Sequence, residues 1–321
     1  PMNDGKMPDD PTSGYDPKLF YKNRDPRFYL TFAYNGSVWP YSGQSNFRIW
    51  TYSWQNNAGA GTPNRFTETA GANSSGIYVR KATNPNASSS VGFELSGTDY
   101  MEIRFAEVIL NLAEAGIGSD KLGEGLELIE SIRERAGVEI GDGHYGLGAA
   151  NGNRDMLFAA ALNERKIELA YENKRFWDLR RWMLFNDDYG YCTRLGIPPL
   201  NGTRRTGMWI YVKKTDGTKY TSGDTDPMIR KADGTVPVID RVTPSGVDED
   251  VYLDSLYTHH FEIITRDNLD PTNPADWKFT WYNQFYFFGL HQNILSGSPY
   301  LQQTKDWPDL NGAMGTFDPL Q

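Results

Sequence analysis

The middle of the chain reads Glu164-Arg165-Lys166-Ile167-Glu168, then Glu172-Asn173-Lys174-Arg175-Phe176-Trp177-Asp178-Leu179-Arg180-Arg181-Trp182. Charged and apolar residues recur at helical spacing, which predicts a helix over residues 154–171 and a shorter one over 175–185. Charged side chains on packed helices must be paired. We therefore expect ion pairs that lock the two helices at their turn, formed by Glu164, Arg165, Glu168, Glu172, Arg175, Asp178 and Arg181.

Glu164 and Glu168 lie one helical turn apart and resemble the carboxylate pairs that catalyse acid and base chemistry. Such a pair needs a cleft and a positioned substrate. The neighbouring arginines favour a structural role for both glutamates.

Two further helices are predicted upstream. From Tyr100 onwards a narrow polar stripe appears at helical spacing among mainly apolar residues, formed by Arg104, Glu107, Asn111 and Glu114. After Asp120 a second apolar periodicity runs to Ala136, and Gly137 stands where a left-handed C-terminal cap would fall. The two helices should pack antiparallel, as in tetratricopeptide units, although no strict 34-residue repeat is present.

The flanking regions have a different character. Residues 1–99 and 186–321 are rich in Gly, Asn, Ser and Pro between short aromatic runs, which predicts loops and short strands. Residues 47–54 alternate with a period of two, typical of an extended strand that places Trp50, Tyr52 and Trp54 on one face. Residues 209–212 followed by 213–217 predict a hairpin arm and its turn, and residues 299–305 a short helix.

Composition excludes several classes of protein. The 321 residues include 9 Trp, 19 Tyr and 16 Phe, carry a formal net charge of -9, and contain a single cysteine, Cys192. An acidic chain lacks the basic surface that nucleic-acid binding requires, so we expect no nucleic-acid partner. One cysteine permits no internal disulfide. As given, the chain shows neither an 18-residue apolar run nor a signal peptide.

Motifs for cofactor or metal chemistry are absent from the sequence, so we expect no cofactor. No phosphate loop, nucleotide-binding glycine motif or Gly-x-Ser-x-Gly occurs. His259, His260 and Glu262 would suggest a metal, but adjacent residues on a strand point to opposite faces. The acidic loops lack the spacing of an EF-hand, which favours solvated loops over a calcium site.

The central signature resembles the SusD/RagB family. Three further segments agree with that family in order and spacing, namely residues 25–28, 104–115 and 132–137. The segment from Asn293 to Trp307 is similar to the closing motif of the family, but Gly289-Leu290-His291 stands where its members usually have Pro-Ile-Pro.

The resemblance implies a mainly α fold with tetratricopeptide-like helical pairs, long irregular loops and a few short β-hairpins. It implies one SusD-like domain with three parts: a loop-rich aromatic region at 1–99, the helical signature at 100–185, and a loop-rich C-terminal region at 186–321. The N-terminal segment of the family, with its lipid-bearing cysteine, is not in this sequence. Members of the family are lipid-anchored outer-membrane proteins that capture glycans or other nutrients and deliver them to a SusC-like TonB-dependent transporter without catalysis.

Sugar rings stack on flat aromatic faces while polar neighbours bind their hydroxyl groups. We therefore expect a ligand platform among the aromatic residues of the loops, and the candidates are Trp39, Tyr41, Trp50, Tyr52 and Trp54, then Trp209, Tyr211, Trp277 and Trp281. Each could instead pack in the core.

Two other functions are consistent with parts of the sequence. A glycoside hydrolase would use aromatic subsites and two carboxylates. A helical adaptor would bind proteins on a smooth concave surface. The long ring-rich loops favour glycan capture over the adaptor, and the family resemblance disfavours the enzyme.

Overall fold

The computed structural model describes residues 1–39, 46–54, 75–84, 87, 97–218, 220, 225–266 and 277–321. Helices predominate over strands in this part of the chain, which confirms the mainly α fold class. The helices are α1 (Pro26–Thr31), α2 (Phe105–Gly118), α3 (Leu122–Ala136), α4 (Arg154–Glu168), α5 (Arg175–Arg181), α6 (Tyr191–Leu195), α7 (Glu249–His259) and α8 (Gln292–Gly297). The strands are β1 (Phe32–Tyr34), β2 (Ile77–Val79), β3 (Gly207–Val212) and β4 (Phe261–Arg266).

Helices α2 and α3 form a closely packed pair joined by a short turn. Gly125 lets them approach, because a Cβ atom built there would lie 2.5 Å from Cγ1 of Ile117. Gly137 ends α3 in the left-handed conformation with φ 82°, and the Asn153 side chain accepts the first-turn amide of α4, so both predicted caps are confirmed.

Three helix ends differ from the sequence-based prediction. α2 begins at Phe105 because Arg104 is extended, with φ -133° and ψ 159°. α4 ends at Glu168, and Tyr171 and Asn173 beyond it have positive φ. α5 ends at Arg181 because Met183 has φ 54°, a left-handed conformation that a helix cannot continue through.

An aliphatic core lies between helices α2 to α6. Its fully buried members include Ala113, Ile117, Ile129, Leu157 and Leu162. The C-terminal region contributes Tyr286, whose hydroxyl donates to Asn186 and accepts from the backbone amides of Phe185 and Asn186. The helical pairs and the C-terminal loops therefore share one core.

A second core is built mainly from rings. Phe20, Tyr21, Trp50, Tyr52, Trp54, Tyr257 and Phe261 are buried there together with Ile210, Val212, Met228, Ile239, Leu253 and Leu256. These residues come from segments far apart in sequence. The contacts that define this core are therefore almost all long-range.

Two small antiparallel sheets complete the described structure. β1 pairs with β2 in the register Phe32↔Val79, and β3 pairs with β4 in the register Val212↔Phe261. The prediction that residues 209–217 form an arm and turn of a local hairpin is wrong about the strand with which β3 pairs. Although a turn follows at Lys214, β3 pairs with a strand that begins about fifty residues later.

Three other local predictions need correction. Residues 47–54 are extended but make only the isolated bridges Val38↔Arg48 and Ser53↔Tyr211 among the described residues. Helix α7 lies where loops and strands were expected. Residues 299–305 are not helical, because Thr304 and Lys305 bridge to Phe317 and Gly315. The helix of that region is α8, seven residues earlier.

Within the described residues, no helix combines the length and apolar character needed to span a bilayer.

Candidate functional site

The carboxylates of α4 form the centre of a buried ion-pair cluster. Glu164 is fully buried, and it accepts from Nη1 of Arg27 at 2.5 Å and from Nε of Arg133 at 2.8 Å. Glu168 accepts from the same Arg27 nitrogen at 2.9 Å. Asp25, which caps α1, also binds the Arg27 guanidinium, at 2.7 Å. The cluster fastens α1 to α3 and α4.

The second half of the cluster surrounds Glu168 and Glu172. Arg104 donates to Glu168 at 2.5 Å and to Glu172 at 2.7 Å, and Lys81 reaches Glu172 at 2.5 Å. Burial alone would raise the pKa of Glu168, but the hydrogen bonds from Arg104 and Arg27 outweigh it and hold the pKa at about 2. A carboxyl with so low a pKa cannot donate a proton near neutral pH, so Glu168 does not suit the role of a general acid.

A third group of ion pairs joins α4 to α5. Nε of Arg165 lies 2.9 Å from both oxygens of Asp178, and its Nη1 donates to Asn111 of α2. Arg181 bonds Asp178 at 3.0 Å and also pairs with Glu114. The polar stripe predicted on α2 is therefore the face that meets these charges.

Of the seven signature residues expected in ion pairs, six make them. The exception is Arg175, which has no ion pair within the described residues, and burial lowers its pKa. The pairs also reach beyond the turn between two helices, since Arg27, Lys81, Arg104 and Arg133 come from four other segments. Three of these four segments resemble the family, but no local pattern in the sequence pairs their arginines with the signature glutamates.

Most of the aromatic platform candidates lie in the core. Tyr52 is fully buried, Trp50, Trp54 and Trp39 are buried, and Trp209 and Tyr211 are buried on β3. Trp50, Tyr52 and Trp54 do contact one another, with centroids 6.0 and 6.4 Å apart. Their faces are covered by protein and are not open to a sugar ring. These buried rings therefore do not form the expected platform.

The remaining candidates are scattered. Tyr41 lies outside the described residues. Trp277 is 38% exposed, and Trp281 stacks on Phe185 with a centroid distance of 3.8 Å. The structure does not bring these rings together with the buried ones.

An open groove of about 440 Å³ lies instead against the ring core. Its aromatic lining consists of Tyr21, Tyr29, Phe32 and Tyr34. Tyr21 and Tyr34 stack with centroids 4.7 Å apart, and the Tyr29 hydroxyl donates to the carbonyl of Tyr21 at 2.7 Å. Tyr29, Phe32 and Tyr34 are half-buried, so their rings combine fixed positions with exposed area.

Charged side chains line the same groove. Lys22, Arg48, Arg80, Asp250 and Asp254 are among its lining residues. Asp254 accepts from the Tyr21 hydroxyl at 2.7 Å and pairs with Lys22. Arg48 pairs with Glu249 at 2.8 Å and reaches Asp250 at 3.4 Å. The groove thus joins aromatic faces to both donors and acceptors.

Local sequence explains how the groove is built. Asp25 and Pro26 start α1, and β1 follows directly after Thr31, which brings the rings of this run to one side. β2 pairs with β1 and delivers Arg80 beside Thr31, whose carbonyl accepts the Arg80 amide at 2.8 Å. Asp250 and Asp254 lie one turn apart on α7 and face the groove together.

Other cavities suit a sugar less well. A cavity of similar volume near α8 is lined by residues such as Leu295, Leu301 and Met314 and contains no aromatic ring. A cavity beside Tyr189 and Phe287 measures about 110 Å³, which is small for a ligand site. The described residues contain no group of three His, Cys, Asp or Glu side chains arranged to hold a metal ion.

The SusD_RagB family model, described as the SusD family, matches residues 1–307. The chain belongs to the SusD family. This confirms the resemblance of the signature around Glu164, and the residues of the ion-pair cluster all lie within the matched range.

Individual relatives agree with this membership. The SusD-like protein P2 of Formosa agariphila is 39% identical over 100 residues, which are 30% of this SusD chain and 19% of the relative. A SusD-like protein of Bacteroides fragilis has a similar fold, with a TM-score of 0.51 at 19% identity, covering 88% of this chain and 39% of that protein.

The solved protein BT4246 superposes with a TM-score of 0.52 at 17% identity, over 94% of this chain and 42% of its own. The two TM-scores show a shared fold. The chain therefore spans less than half of the length of the SusD relatives that it matches.

Sequence reasoning missed the groove. Its aromatic residues lie within residues 20–34, which include the segment 25–28, whereas the predicted platform lies among the rings of residues 39–54. The available signal was ring density: Phe20, Tyr21, Phe28, Tyr29, Phe32 and Tyr34 fall within fifteen residues. Arg80 and α7 carried no such signal, because only the fold brings them there.

Proposed function

We propose that this SusD-family chain belongs to a cell-surface protein that binds an oligosaccharide nutrient in the groove lined by Tyr29, Phe32 and Tyr34. The observation that carries the proposal is the row of half-buried rings flanked by guanidinium and carboxylate groups. Family membership supplies the class of function, and the groove supplies the position.

The groove has the chemistry that sugar binding needs. The C–H face of a pyranose packs on an aromatic ring, and its hydroxyl groups exchange hydrogen bonds with charged and amide groups. Tyr21 and Tyr34 keep their protons, because burial raises the pKa of both phenols well above the usual value. Binding should therefore not depend on phenol ionisation at any physiological pH.

The proposal extends to delivery. Lipid anchoring on the outer membrane and transfer of the bound glycan to a SusC-like TonB-dependent transporter are the roles that the SusD resemblance implies. The partner of this chain would then be an outer-membrane transporter.

Binding without catalysis agrees with the state of the acidic residues. Glu164 and Glu168 are buried and held by arginines. In the groove, Asp254 is already engaged by Tyr21 and Lys22. A glycosidase would need one carboxyl free to donate a proton and a second facing it across the substrate.

Affinity electrophoresis against a panel of polysaccharides tests the proposal. We expect at least one polysaccharide to retard the protein, and a Tyr29→Ala, Phe32→Ala double variant to lose that retardation. Tyr300→Ala is the control, because that ring is 82% exposed and lies outside the groove. Thermal melts of each variant verify that it folds.

The possible results distinguish glycan binding in the groove from binding elsewhere and from catalysis. Retardation that survives the double variant would move the site away from the groove. Release of shorter sugars from the same polysaccharide, detected by thin-layer chromatography, would establish an enzyme instead. Absence of retardation by every glycan would contradict glycan capture itself.

A further inference from the structure

Three cations line the groove, and two of them are neutralised by carboxylates. Lys22 pairs with Asp254, and Arg48 pairs with Glu249 and Asp250. Arg80 differs from both. Within the described part of the chain, no carboxylate oxygen lies within 4.0 Å of its guanidinium.

The Arg80 side chain is held in place without being neutralised. Its Nη1 donates to the carbonyl oxygens of Tyr29 at 3.2 Å and Val38 at 3.4 Å, and its backbone is fixed by pairing with Thr31. Among the described residues, Nε and Nη2 have no acceptor. A positioned guanidinium with two free donors can bind both oxygens of an anionic group.

Arg80 lies beside the aromatic rings of the groove, so its charge can contribute to ligand recognition. Its anchoring carbonyl belongs to Tyr29, a lining ring, and Phe32 of β1 pairs with Val79, the residue before Arg80. Because Arg80 lines the same groove as Tyr29 and Phe32, a sugar stacked on either ring can direct a charged substituent to the guanidinium. In a chain of net charge -9, a half-buried guanidinium without a carboxylate partner can be neutralised by an anionic ligand.

We propose that the groove recognises an anionic glycan, one carrying carboxylate or sulfate groups, and that Arg80 binds the anionic substituent. This inference rests on the proposed function, since it specifies the ligand of the same groove. Tyr29 and Phe32 supply stacking that any sugar can use. Arg80 supplies the preference for charge.

The test compares three classes of polysaccharide by affinity electrophoresis, with titration calorimetry on those that bind. Starch and galactan are neutral, polygalacturonate and alginate carry carboxylates, and carrageenan and fucoidan carry sulfates. The variants are Arg80→Gln, which removes the charge, and Arg80→Lys, which keeps the charge but removes the two-donor fork. Arg154→Gln is the matched control, because Arg154 is exposed on α4 and donates to the carbonyl of Gly118.

We expect the wild type to bind an acidic polysaccharide, with affinity that falls as salt is added. Arg80→Gln should weaken that binding by roughly tenfold to a hundredfold, because a charge-assisted hydrogen-bonded pair is lost. Arg80→Lys should recover only part of the affinity, and Arg154→Gln should leave it unchanged. Which acidic class binds identifies the carboxylate or the sulfate as the ligand group.

Two results would overturn the inference and can be told apart from failure of the proposed function. Binding only to neutral glycans, lost in the Tyr29→Ala, Phe32→Ala variant but kept in Arg80→Gln, leaves glycan capture in the groove and removes the anionic preference. Acidic binding that Arg80→Gln does not change removes the role of Arg80. If the Tyr29→Ala, Phe32→Ala variant still binds both neutral and acidic glycans, or if the wild type binds no glycan at all, the proposed function is contradicted as well.

Discussion

The helical region, residues 105–181, and the ring region, built around Tyr52 and Tyr257, are held together by different forces. In the helical region, aliphatic side chains pack on one face of each helix and buried ion pairs join the other faces. In the ring region, aromatic contacts dominate and phenol hydroxyls bind carboxylates or carbonyls, as Tyr257 does with Asn35 at 2.9 Å. A single chain can therefore bury polar groups either as ion pairs or as tyrosines.

The difference has a practical meaning for mutation. A buried ion pair is strongly destabilising when only one partner is removed, because the other charge stays buried. Removal of a buried ring destabilises the fold in proportion to the volume lost and to how poorly the surrounding site collapses. The two regions should respond to substitutions in different ways.

The largest effect is expected in the ion-pair cluster. Glu164→Gln leaves Arg27 and Arg133 without their shared carboxylate and should lower the free energy of unfolding by about 3–5 kcal/mol. Glu124→Gln on α3, which breaks the exposed pair with Lys121, is the control and should change it by less than about 0.5 kcal/mol. Urea unfolding followed by circular dichroism measures both. Equal effects would show that the cluster is not what stabilises the helices.

The next largest effect is expected in the ring region. Trp54→Ala should cost about 3 kcal/mol, because this ring is only 8% exposed and its removal leaves a cavity. Trp277→Ala, at 38% exposure, should cost about 1 kcal/mol or less. Thermal melts of the two variants compare them. If Trp54→Ala instead preserves stability and abolishes glycan binding, Trp54 belongs to the ligand site and not to the core.

Lowering the pH should destabilise the helical region through its ion-pair cluster. The pKa of Glu168 is about 2 in the folded protein against an ordinary value of 4.5. The unfolded chain therefore takes up the proton first, and the stabilisation from Glu168, present above about pH 4.5, is lost as the pH falls towards 2. The urea midpoint of unfolding, measured at pH 7, 5 and 3.5, should decrease as the pH is lowered. The decrease should be less steep in Glu168→Gln. An unchanged slope in that variant would assign the acid sensitivity to other carboxyls.

The smallest effect is expected from one phenol of the ring region. Tyr21→Phe removes the hydroxyl that donates to Asp254 at 2.7 Å and should cost about 1 kcal/mol. Asp254 keeps Lys22 as a partner, which limits the loss. Tyr300→Phe provides the control at an exposed position. A loss as large as that of Trp54→Ala would mean that the bond organises the groove as a whole.

The sequence predicted the helical region well and the ring region poorly, for a physical reason. Helices α2 to α5 rest on contacts three or four residues apart, so periodicity and the caps at Gly137 and Asn153 were sufficient. β3 pairs with β4, and Tyr52 bonds Asp226, 174 residues away. Such partners leave no local pattern. Trp50, Tyr52 and Trp54 were expected on one face of a strand as a ligand platform, but their burial could not be judged from the sequence without knowing what covers them.

The candidate groove shows the same limit. Its aromatic residues were visible as a dense run, yet the charges around them come from β2 and α7, which only folding brings together. The signature glutamates pair as expected, but the partner that binds both Glu164 and Glu168 is Arg27, which lies 137 residues before Glu164 and outside the helical region.

The long separation of Arg27 from its glutamates has a consequence for synthesis. Glu164 and Glu168 follow Arg27 by 137 and 141 residues, so the arginine leaves the ribosome on the order of ten seconds before its carboxylates do. Until α4 emerges, nothing in this cluster can fix the segment that carries Tyr29, Phe32 and Tyr34. The groove is thus encoded early but completed late, and a chain interrupted before Glu164 would present those rings without the clamp that positions them.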